Sequence, residues 1–119
     1  MKIKNIAFIG LGNMGYYMAS HLVDNKYTIF PHDINKNNLK SFYNNTKIKE
    51  INFLESIEKV DCVILMVPSS KEVNEIIFKK NKIFQKLKKN TIIIDMSTSI
   101  PTETLNIGKK LKHKKIKFY

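Results

Sequence analysis

The chain has 119 residues, 43% of them hydrophobic and 26% charged, and its formal net charge is +11. This length fits one ordinary domain. The apolar runs exclude a disordered chain, and none of them approaches the roughly 20 residues of a membrane span, so we expect no membrane partner. All 21 basic residues are Lys, whereas nucleic-acid binders favour Arg for bidentate contacts. We therefore expect that the positive charge reflects a general bias of the surface composition towards Lys, and we expect no specific nucleic-acid partner.

Six predicted strands alternate with helices along the chain. The strands are predicted at Lys4–Ile9, Tyr27–His32, Thr46–Ile51, Asp61–Val67, Thr91–Asp95 and Ile116–Tyr119. The helices are predicted at Asn13–Val23, Ile34–Tyr43, Asn52–Val60, Ser69–Lys79 and Pro101–Lys112. Most of the strands are continuous apolar runs, which is typical of parallel strands buried on both faces. The sequence therefore predicts an α/β fold with helices on both sides of a parallel sheet.

Three of the four glycines follow the first predicted strand, in the run GLGNMG at 10–15. In this strand–turn–helix context Gly10 permits a tight turn, Gly12 lets the backbone approach a pyrophosphate, and Gly15 lets the helix pack against the strand. The helix N-terminus adds free N–H groups that favour phosphates. The pattern predicts a Rossmann-type doubly wound sheet of order 3-2-1-4-5-6 that binds a dinucleotide. A tight turn without a ligand is the alternative.

Asp33 ends the second predicted strand, 18 residues after Gly15. In a Rossmann-type fold an acidic side chain at this place accepts hydrogen bonds from the adenosine ribose and repels the 2′-phosphate of NADP. We therefore expect NAD as the cofactor, with NADP possible because Lys36 offsets part of the repulsion. The alternative is that Asp33 caps the next helix. Pro31 does not fit an interior strand, since it lacks an N–H donor.

Two further segments are expected at the same edge of the sheet. In the order 3-2-1-4-5-6 the switch point lies between strands 1 and 4, so Gly10–Gly15 and Val67–Ser70 flank one crevice. Asp95–Ser99 lies on its far side. The hydroxyl residues at 97–99 either contact a ligand or cap the helix that begins at Pro101.

Three blocks of the sequence carry a family resemblance. FIGLGNMGYYMASHL (8–22) resembles the N-terminal signature of the 3-hydroxyisobutyrate dehydrogenase, or β-hydroxyacid dehydrogenase, family. DCVILMVPSS (61–70) is similar to the strand and proline loop of that family, and IIIDMSTSIP (92–101) is similar to its Asp-x-Ser-Thr segment. The blocks follow the family order and cover essentially the whole chain. The resemblance implies that residues 1–119 are an N-terminal dinucleotide-binding domain.

The resemblance also implies a role for each matching position. The pyrophosphate would be held by Gly10, Leu11, Gly12, Asn13, Met14 and Gly15, and the adenosine ribose by Asp33. The rest of the cofactor site would consist of Val67, Pro68, Glu72 and Thr98. Ser97 would help to hold the substrate carboxylate. Glu72 departs from the neutral polar residue expected at its position.

An activity follows from the same resemblance. The complete protein would be an NAD(P)-dependent oxidoreductase that oxidises a small 3-hydroxy acid to its semialdehyde. In that family the catalytic Lys lies in an all-helical second domain, to which none of these 119 residues corresponds. We therefore expect no catalytic residue here and no activity of residues 1–119 alone. The alternative is a non-catalytic dinucleotide-binding or assembly module of the same family.

Smaller signals bear on assembly, location and other sites. The family assembles largely through its second domain, so a homo-oligomer is expected only together with that domain. The lack of a secretory signal and the single Cys62 predict a cytoplasmic protein, or a mitochondrial one if the natural N-terminus is longer. We expect Cys62 to be a small core residue. No histidine has a second ligand at a metal-like spacing, so no metal site is expected.

Overall fold

The computed structural model describes residues 2–80, 83–97 and 101–119. The strands are β1 (Asn5–Ile9), β2 (Thr28–His32), β3 (Cys62–Leu65), β4 (Ile92–Asp95) and β5 (Lys117–Phe118). The helices are α1 (Asn13–Asp24), α2 (Lys36–Thr46), α3 (Phe53–Ser56), α4 (Ser70–Asn74), α5 (Ile83–Lys86) and α6 (Pro101–His113). A 3₁₀ turn, Ile57–Lys59, follows α3, and a π-helical segment, Glu75–Lys80, follows α4. Short α5 was not predicted. No helix in these ranges is long and apolar enough to cross a membrane.

Within the described residues, the five strands form one parallel sheet in the order β2-β1-β3-β4-β5. Ala7 of β1 lies opposite Phe30 on one side and Val63 on the other, and Val63 lies opposite Ile93. In the numbering of the six predicted strands this order reads 2-1-4-5-6. The Rossmann-type doubly wound class is therefore confirmed, and its switch point lies between β1 and β3, as predicted.

The third predicted strand, Thr46–Ile51, is wrong. Thr46 is the last residue of α2, and its hydroxyl donates to a backbone carbonyl one turn earlier at 2.7 Å. Lys47 ends the helix in the left-handed conformation, with φ at 63°. Ile48 and Ile51 then pack against two different apolar clusters. The segment anchors the end of α2 instead of pairing with β2.

Because Thr46–Ile51 is not a strand, β2 is the edge of the described sheet, and this position tolerates Pro31. The Thr28 N–H donates to the Lys4 carbonyl of the chain leading into β1, at 2.9 Å. Successive residues of a strand point their N–H groups to alternate sides, so the nitrogen of Pro31 faces away from β1. A proline with this orientation on an edge strand removes no ladder hydrogen bond.

Two apolar clusters, one on each face of the sheet, hold the helices in place. Ala7 and Ile9 of β1 enter the first cluster, and Ile6 and Phe8 enter the second. Helices pack on the first cluster through fully buried residues that include Ile57, Ile77, Ile83, Ile107 and Leu111, and on the second through Ala19 and Phe42. Burial of each such Leu, Ile or Phe stabilises the fold by about 1.5–3 kcal/mol.

Cys62 lies in the second cluster as the predicted core residue. Burial, together with the neighbouring charge of Asp61, raises the pKa of its thiol to about 11. The thiolate that reacts with oxidants and electrophiles is therefore scarce near neutral pH.

Candidate functional site

Two of the motif glycines are required by the packing of the fold. Gly10 follows β1 with φ at +103°, and a Cβ there would lie 2.2 Å from the Met66 carbonyl oxygen. A Cβ on Gly15 would lie 2.0 Å from the Gly10 carbonyl oxygen. Both distances are far shorter than atoms tolerate, so a side chain at either position would push β1, α1 and the end of β3 apart.

Gly12 differs from both, because a Cβ at this position would meet nothing within 4 Å. Gly12 is the N-cap residue of α1, and no side chain caps the helix there. The first turn of a helix carries N–H groups without intrahelical partners. Packing therefore does not explain this glycine, and its open surface beside a helix N-terminus is what the approach of a phosphate requires.

A crevice of about 330 Å³ runs between the glycine loop and the carboxyl ends of β2 and β3. The Met66 N–H donates to the Ile9 carbonyl at 2.8 Å and so brings the ends of β1 and β3 side by side. Of the predicted site residues, the crevice is lined by Gly10, Gly12, Asp33, Val67, Pro68 and Glu72. The expectation that the two loops share one crevice is confirmed.

Asp33 is held at one end of the crevice by three hydrogen bonds. Its Oδ2 accepts from the Leu11 N–H at 2.7 Å and from the Asn38 side-chain amide at 3.3 Å. Its Oδ1 accepts from the Asn35 N–H at 2.8 Å. The N-cap of α2 is Asn35, whose side chain accepts from the N–H groups of Asn37 and Asn38. The alternative in which Asp33 caps the helix is therefore not what the structure shows.

Several residues that line the crevice were not predicted from the sequence, namely Ile9, His32, Ile34, Asn38, Met66, Glu75 and Ile76. His32 stacks on the Phe53 ring with centroids 4.6 Å apart. Burial lowers the pKa of His32, although the charge of Asp33 opposes this shift. The position of His32 directly before Asp33 was the signal available in the sequence, since consecutive residues at a strand end both reach the carboxyl edge.

Glu72 lies near the other end of the crevice, in the first turn of α4. Ser69 is the N-cap, but its hydroxyl donates to the Glu72 carboxylate and accepts no backbone N–H of the helix. This hydrogen bond holds the pKa of Glu72 below its ordinary value. With Asp33 and Glu75 the crevice has three carboxylates, and none of the described residues that line it is Lys.

The other residues of the glycine loop lie on its outer side. Leu11, which is buried, and Asn13 line a second pocket of about 380 Å³ next to Tyr16. Met14 is 69% exposed. These three predicted pyrophosphate residues therefore do not line the crevice with their side chains. The Leu11 N–H already donates to Asp33, whereas Asn13 and Met14, at the start of α1, carry N–H groups without intrahelical partners.

Ser97 follows β4 at the same edge of the sheet. Its N–H and its hydroxyl both donate to Asp95 Oδ1, at 2.8 and 2.5 Å. The hydroxyl must leave Asp95 before it can donate to a substrate carboxylate. Thr98, predicted to contact the cofactor, and Ser99 lie outside the described residues.

Residues 5–119 match the family of the NAD binding domain of 6-phosphogluconate dehydrogenase. The chain belongs to this family. An NAD-binding domain of Rossmann type, as predicted, is thereby confirmed at the level of the family. The roles of single residues and a cytoplasmic location stay predictions.

Relatives of this NAD-binding domain bear out the resemblance. Mitochondrial 3-hydroxyisobutyrate dehydrogenase of Mus musculus is 34% identical over 107 residues, which are 90% of this chain and 32% of that protein. The 3-sulfolactaldehyde reductase of Escherichia coli (strain K12) is 30% identical over 83% of this chain and 33% of that protein. The chain thus spans about a third of the length of the curated relatives that it matches.

A solved structure shows the same fold for this NAD-binding domain. The 3-hydroxyisobutyrate dehydrogenase of Mycobacterium tuberculosis, with L-serine, aligns with a TM-score of 0.84 at 23% identity. The alignment covers 98% of this chain and 39% of that chain. At this identity the likeness concerns the fold.

Proposed function

We propose that the crevice binds the adenosine and pyrophosphate part of NAD, and that the chain is the cofactor domain of an oxidoreductase. The complete protein would oxidise a small 3-hydroxy acid to its semialdehyde. The observation that supports this most directly is the open position of Gly12, beside the crevice and at the N-terminus of α1. A glycine that packing does not require is explained by a ligand that must come close to the backbone.

The pyrophosphate is bound by backbone groups of the glycine loop. The N–H groups at the start of α1 point out of the helix and carry its positive dipole end, so they stabilise anionic oxygens. Gly12 lets these oxygens approach without a side chain in the way. This arrangement needs no cation in the crevice, which agrees with the absence of Lys from its described lining.

Asp33 binds the adenosine ribose through the one acceptor position of its carboxylate that the protein does not use. A carboxylate offers about four acceptor positions, and Asp33 uses three of them on Leu11, Asn35 and Asn38. The remaining position suits one ribose hydroxyl as a donor. Because the three hydrogen bonds fix the orientation of the carboxylate, little side-chain entropy is lost when the ribose binds.

The walls of the crevice orient the rest of the dinucleotide. Val67 and Pro68 supply an apolar wall where β3 ends, and Pro68 directs the chain away from the sheet. We propose that the Ser97 hydroxyl exchanges Asp95 for the carboxylate of the arriving substrate, and that the proton of the substrate hydroxyl is removed by a group outside residues 1–119. NAD held in the crevice would then accept the hydride of the substrate.

Calorimetry with NAD tests the binding step. The unaltered chain should bind NAD, and Gly12→Ala should weaken binding about tenfold, because a methyl group then occupies the phosphate approach and a charge-assisted hydrogen bond is lost. Gly108→Ala is the matched control, since its Cβ in α6 would meet Phe118 at an ordinary 3.6 Å. No binding by the unaltered chain, or equal binding by both variants, would contradict the proposal.

A turnover assay tests the assignment of catalysis. Residues 1–119 with saturating NAD should form no measurable NADH from 3-hydroxyisobutyrate, because positioned proton transfer contributes about 10²–10⁴-fold and its group is assigned elsewhere. 3-Sulfolactaldehyde, with NADH, is the second substrate to test, since one relative is named for it. Robust turnover of either substrate would place the catalytic group within this chain.

A further inference from the structure

A further cavity, of about 420 Å³, lies between α6 and the helical stretch that α4 and the π-helical segment form together. Its described lining consists of Lys71, Asn74, Lys79, Glu103, Asn106, Ile107 and Lys110. The same helical stretch lines the crevice with other residues, namely Glu72, Glu75 and Ile76. Two sides of one helical stretch therefore border two different cavities. A volume of this size is in the range of pockets that bind small ligands.

Three ammonium groups from three separate segments line this cavity. Lys71 lies in α4, Lys79 in the π-helical segment and Lys110 in α6. Among the described residues, none of these three lysines forms a salt bridge. Glu103, the one carboxylate of the described lining, accepts from the Ser70 hydroxyl at 2.6 Å and so joins α6 to α4. With three ammonium groups and one carboxylate, the described lining has a formal charge of +2.

The Lys-rich composition of the chain does not by itself explain this cavity. The described lining of the crevice contains three carboxylates and no Lys, and that of the pocket beside Tyr16 contains no charged residue. In the cavity beside α6, three of the seven described lining residues are Lys. The positive charge is therefore concentrated at this cavity and is not spread evenly over the concave surfaces.

The π-helical geometry is what brings Lys79 to this cavity. In an α-helix, with 3.6 residues per turn, residues five apart lie about 140° apart around the axis. A π-helix forms its hydrogen bonds between residues five apart, so such residues lie much closer to one face. Asn74, the last residue of α4, and Lys79 have this spacing, and both line the cavity. π-Helical turns are rare and occur frequently at functional sites.

We propose that this cavity binds a small anion that carries a diphosphate group, either inorganic pyrophosphate or a nucleoside diphosphate. The Lys110 ammonium lies 4.9 Å from the centroid of the Phe78 ring, a cation–π contact that restrains it at the cavity. The side-chain amides of Asn74 and Asn106 add neutral donors to the three ammonium groups. Donors on three segments and a charge of +2 favour an anion with two phosphate groups over a single phosphate. This site lies outside the crevice and goes beyond the proposed function.

Calorimetric titration of inorganic pyrophosphate into the chain saturated with NAD tests the site, because NAD keeps the probe from the glycine loop. Changing Lys79→Gln and Lys110→Gln together should weaken pyrophosphate binding about 20-fold, since each exposed charge pair contributes up to about fivefold. The matched control, Lys109→Gln with Lys112→Gln, removes the same charge from exposed positions of α6 outside the described lining. It should change the affinity less than twofold. Equal losses in the two double variants, or no binding by the unaltered chain, would overturn the proposal.

Two further measurements separate the role of charge and the source of the diphosphate. Lys110→Arg keeps the positive charge and should keep most of the affinity that Lys110→Gln loses, whereas equal losses in both variants would contradict an electrostatic site. Uridine diphosphate, titrated in the same way, should show the same dependence on Lys79 and Lys110. Tighter binding of this nucleotide than of pyrophosphate would assign the site to a nucleoside diphosphate, and weaker binding would assign it to the free anion.

Thermal unfolding keeps this site distinct from the proposed function. Pyrophosphate should raise the melting temperature of Gly12→Ala, whose phosphate approach at the glycine loop is blocked, but not when Lys79→Gln and Lys110→Gln are added, because a ligand stabilises only the protein that binds it. If the unaltered chain fails to bind NAD while these lysines still hold pyrophosphate, the proposed function alone is wrong. If NAD binds and pyrophosphate binding does not depend on these lysines, the cavity site alone is wrong.

Discussion

Asp33 and Asp61 make nearly the same hydrogen bonds at opposite edges of the sheet. Asp33, at the carboxyl edge, accepts from two backbone N–H groups and from the Asn38 amide. Asp61, at the amino edge, accepts from the N–H groups of Lys4 and Asn5, at 3.0 and 2.9 Å, and from the Lys88 ammonium at 2.9 Å.

The partners decide what each carboxylate does. The Lys88 ammonium neutralises Asp61, whose side chain is 15% exposed, and the backbone bonds tie the start of β1 to the start of β3. The three donors of Asp33 are uncharged, so its negative charge remains available at the mouth of the crevice. Ligands of doubly wound sheets bind at the carboxyl ends of the strands. Asp61, whose charge is neutralised by Lys88, therefore stabilises the fold. Asp33, whose donors are uncharged, keeps a charge that can bind a ligand.

The largest expected effect is the difference between the two aspartates in their contribution to the free energy of unfolding. Asp61→Ala should lower the free energy of unfolding by about 2 kcal/mol, because it leaves two backbone donors and an ammonium without their acceptor. NAD affinity should stay unchanged. Asp33→Ala should cost only about 1 kcal/mol, because its three donors are uncharged and no ammonium loses its partner. Urea unfolding and calorimetry on both variants measure this, and a loss of NAD affinity in Asp61→Ala would break the comparison.

A smaller effect concerns acid stability. The Asn5 N–H, followed by the Lys88 and Lys4 groups, lowers the pKa of Asp61 from 3.8 to about 2. The folded protein then binds the proton less readily than the unfolded chain, so this stabilisation is complete above pH 4 and disappears as the pH falls towards 2. Urea midpoints across this range should fall more steeply in the unaltered chain than in Asp61→Asn. Parallel curves would contradict the assignment.

The smallest effect is expected for the carboxylate of Glu72. Glu72→Gln should raise the affinity for NAD about twofold, because one negative charge leaves a crevice that receives an anionic ligand. The gain should shrink in high salt, which screens the charge. Glu58→Gln is the matched control, since Glu58 is exposed on the 3₁₀ turn and does not line the crevice. An equal gain in both variants would show only a general effect of net charge.

The strand predicted at Thr46–Ile51 is the part of the fold that the local sequence pattern did not determine. Ile48 and Ile51 are three residues apart, so on a strand they would point to opposite faces, and this pattern was weak support for a strand. The choice depended on α2, whose Tyr43 hydroxyl accepts the Ile51 N–H at 3.3 Å. That contact joins residues eight apart in the chain and satisfies a donor that a strand would have offered to β2.

Local patterns were sufficient for the alternation of strands and helices, for the glycine loop and for the position of Asp33. These features depend on side-chain periodicity, on the backbone freedom of glycine and on the order of elements, and each of these can be read from the local sequence. The contacts of Asp33 were not readable in this way. Leu11 and Asp33 are 22 residues apart and meet because β1 and β2 pair in parallel, which brings the turns that follow them to one edge. The fixed orientation of Asp33, and with it the proposed recognition of the ribose, exists only once that pairing has formed.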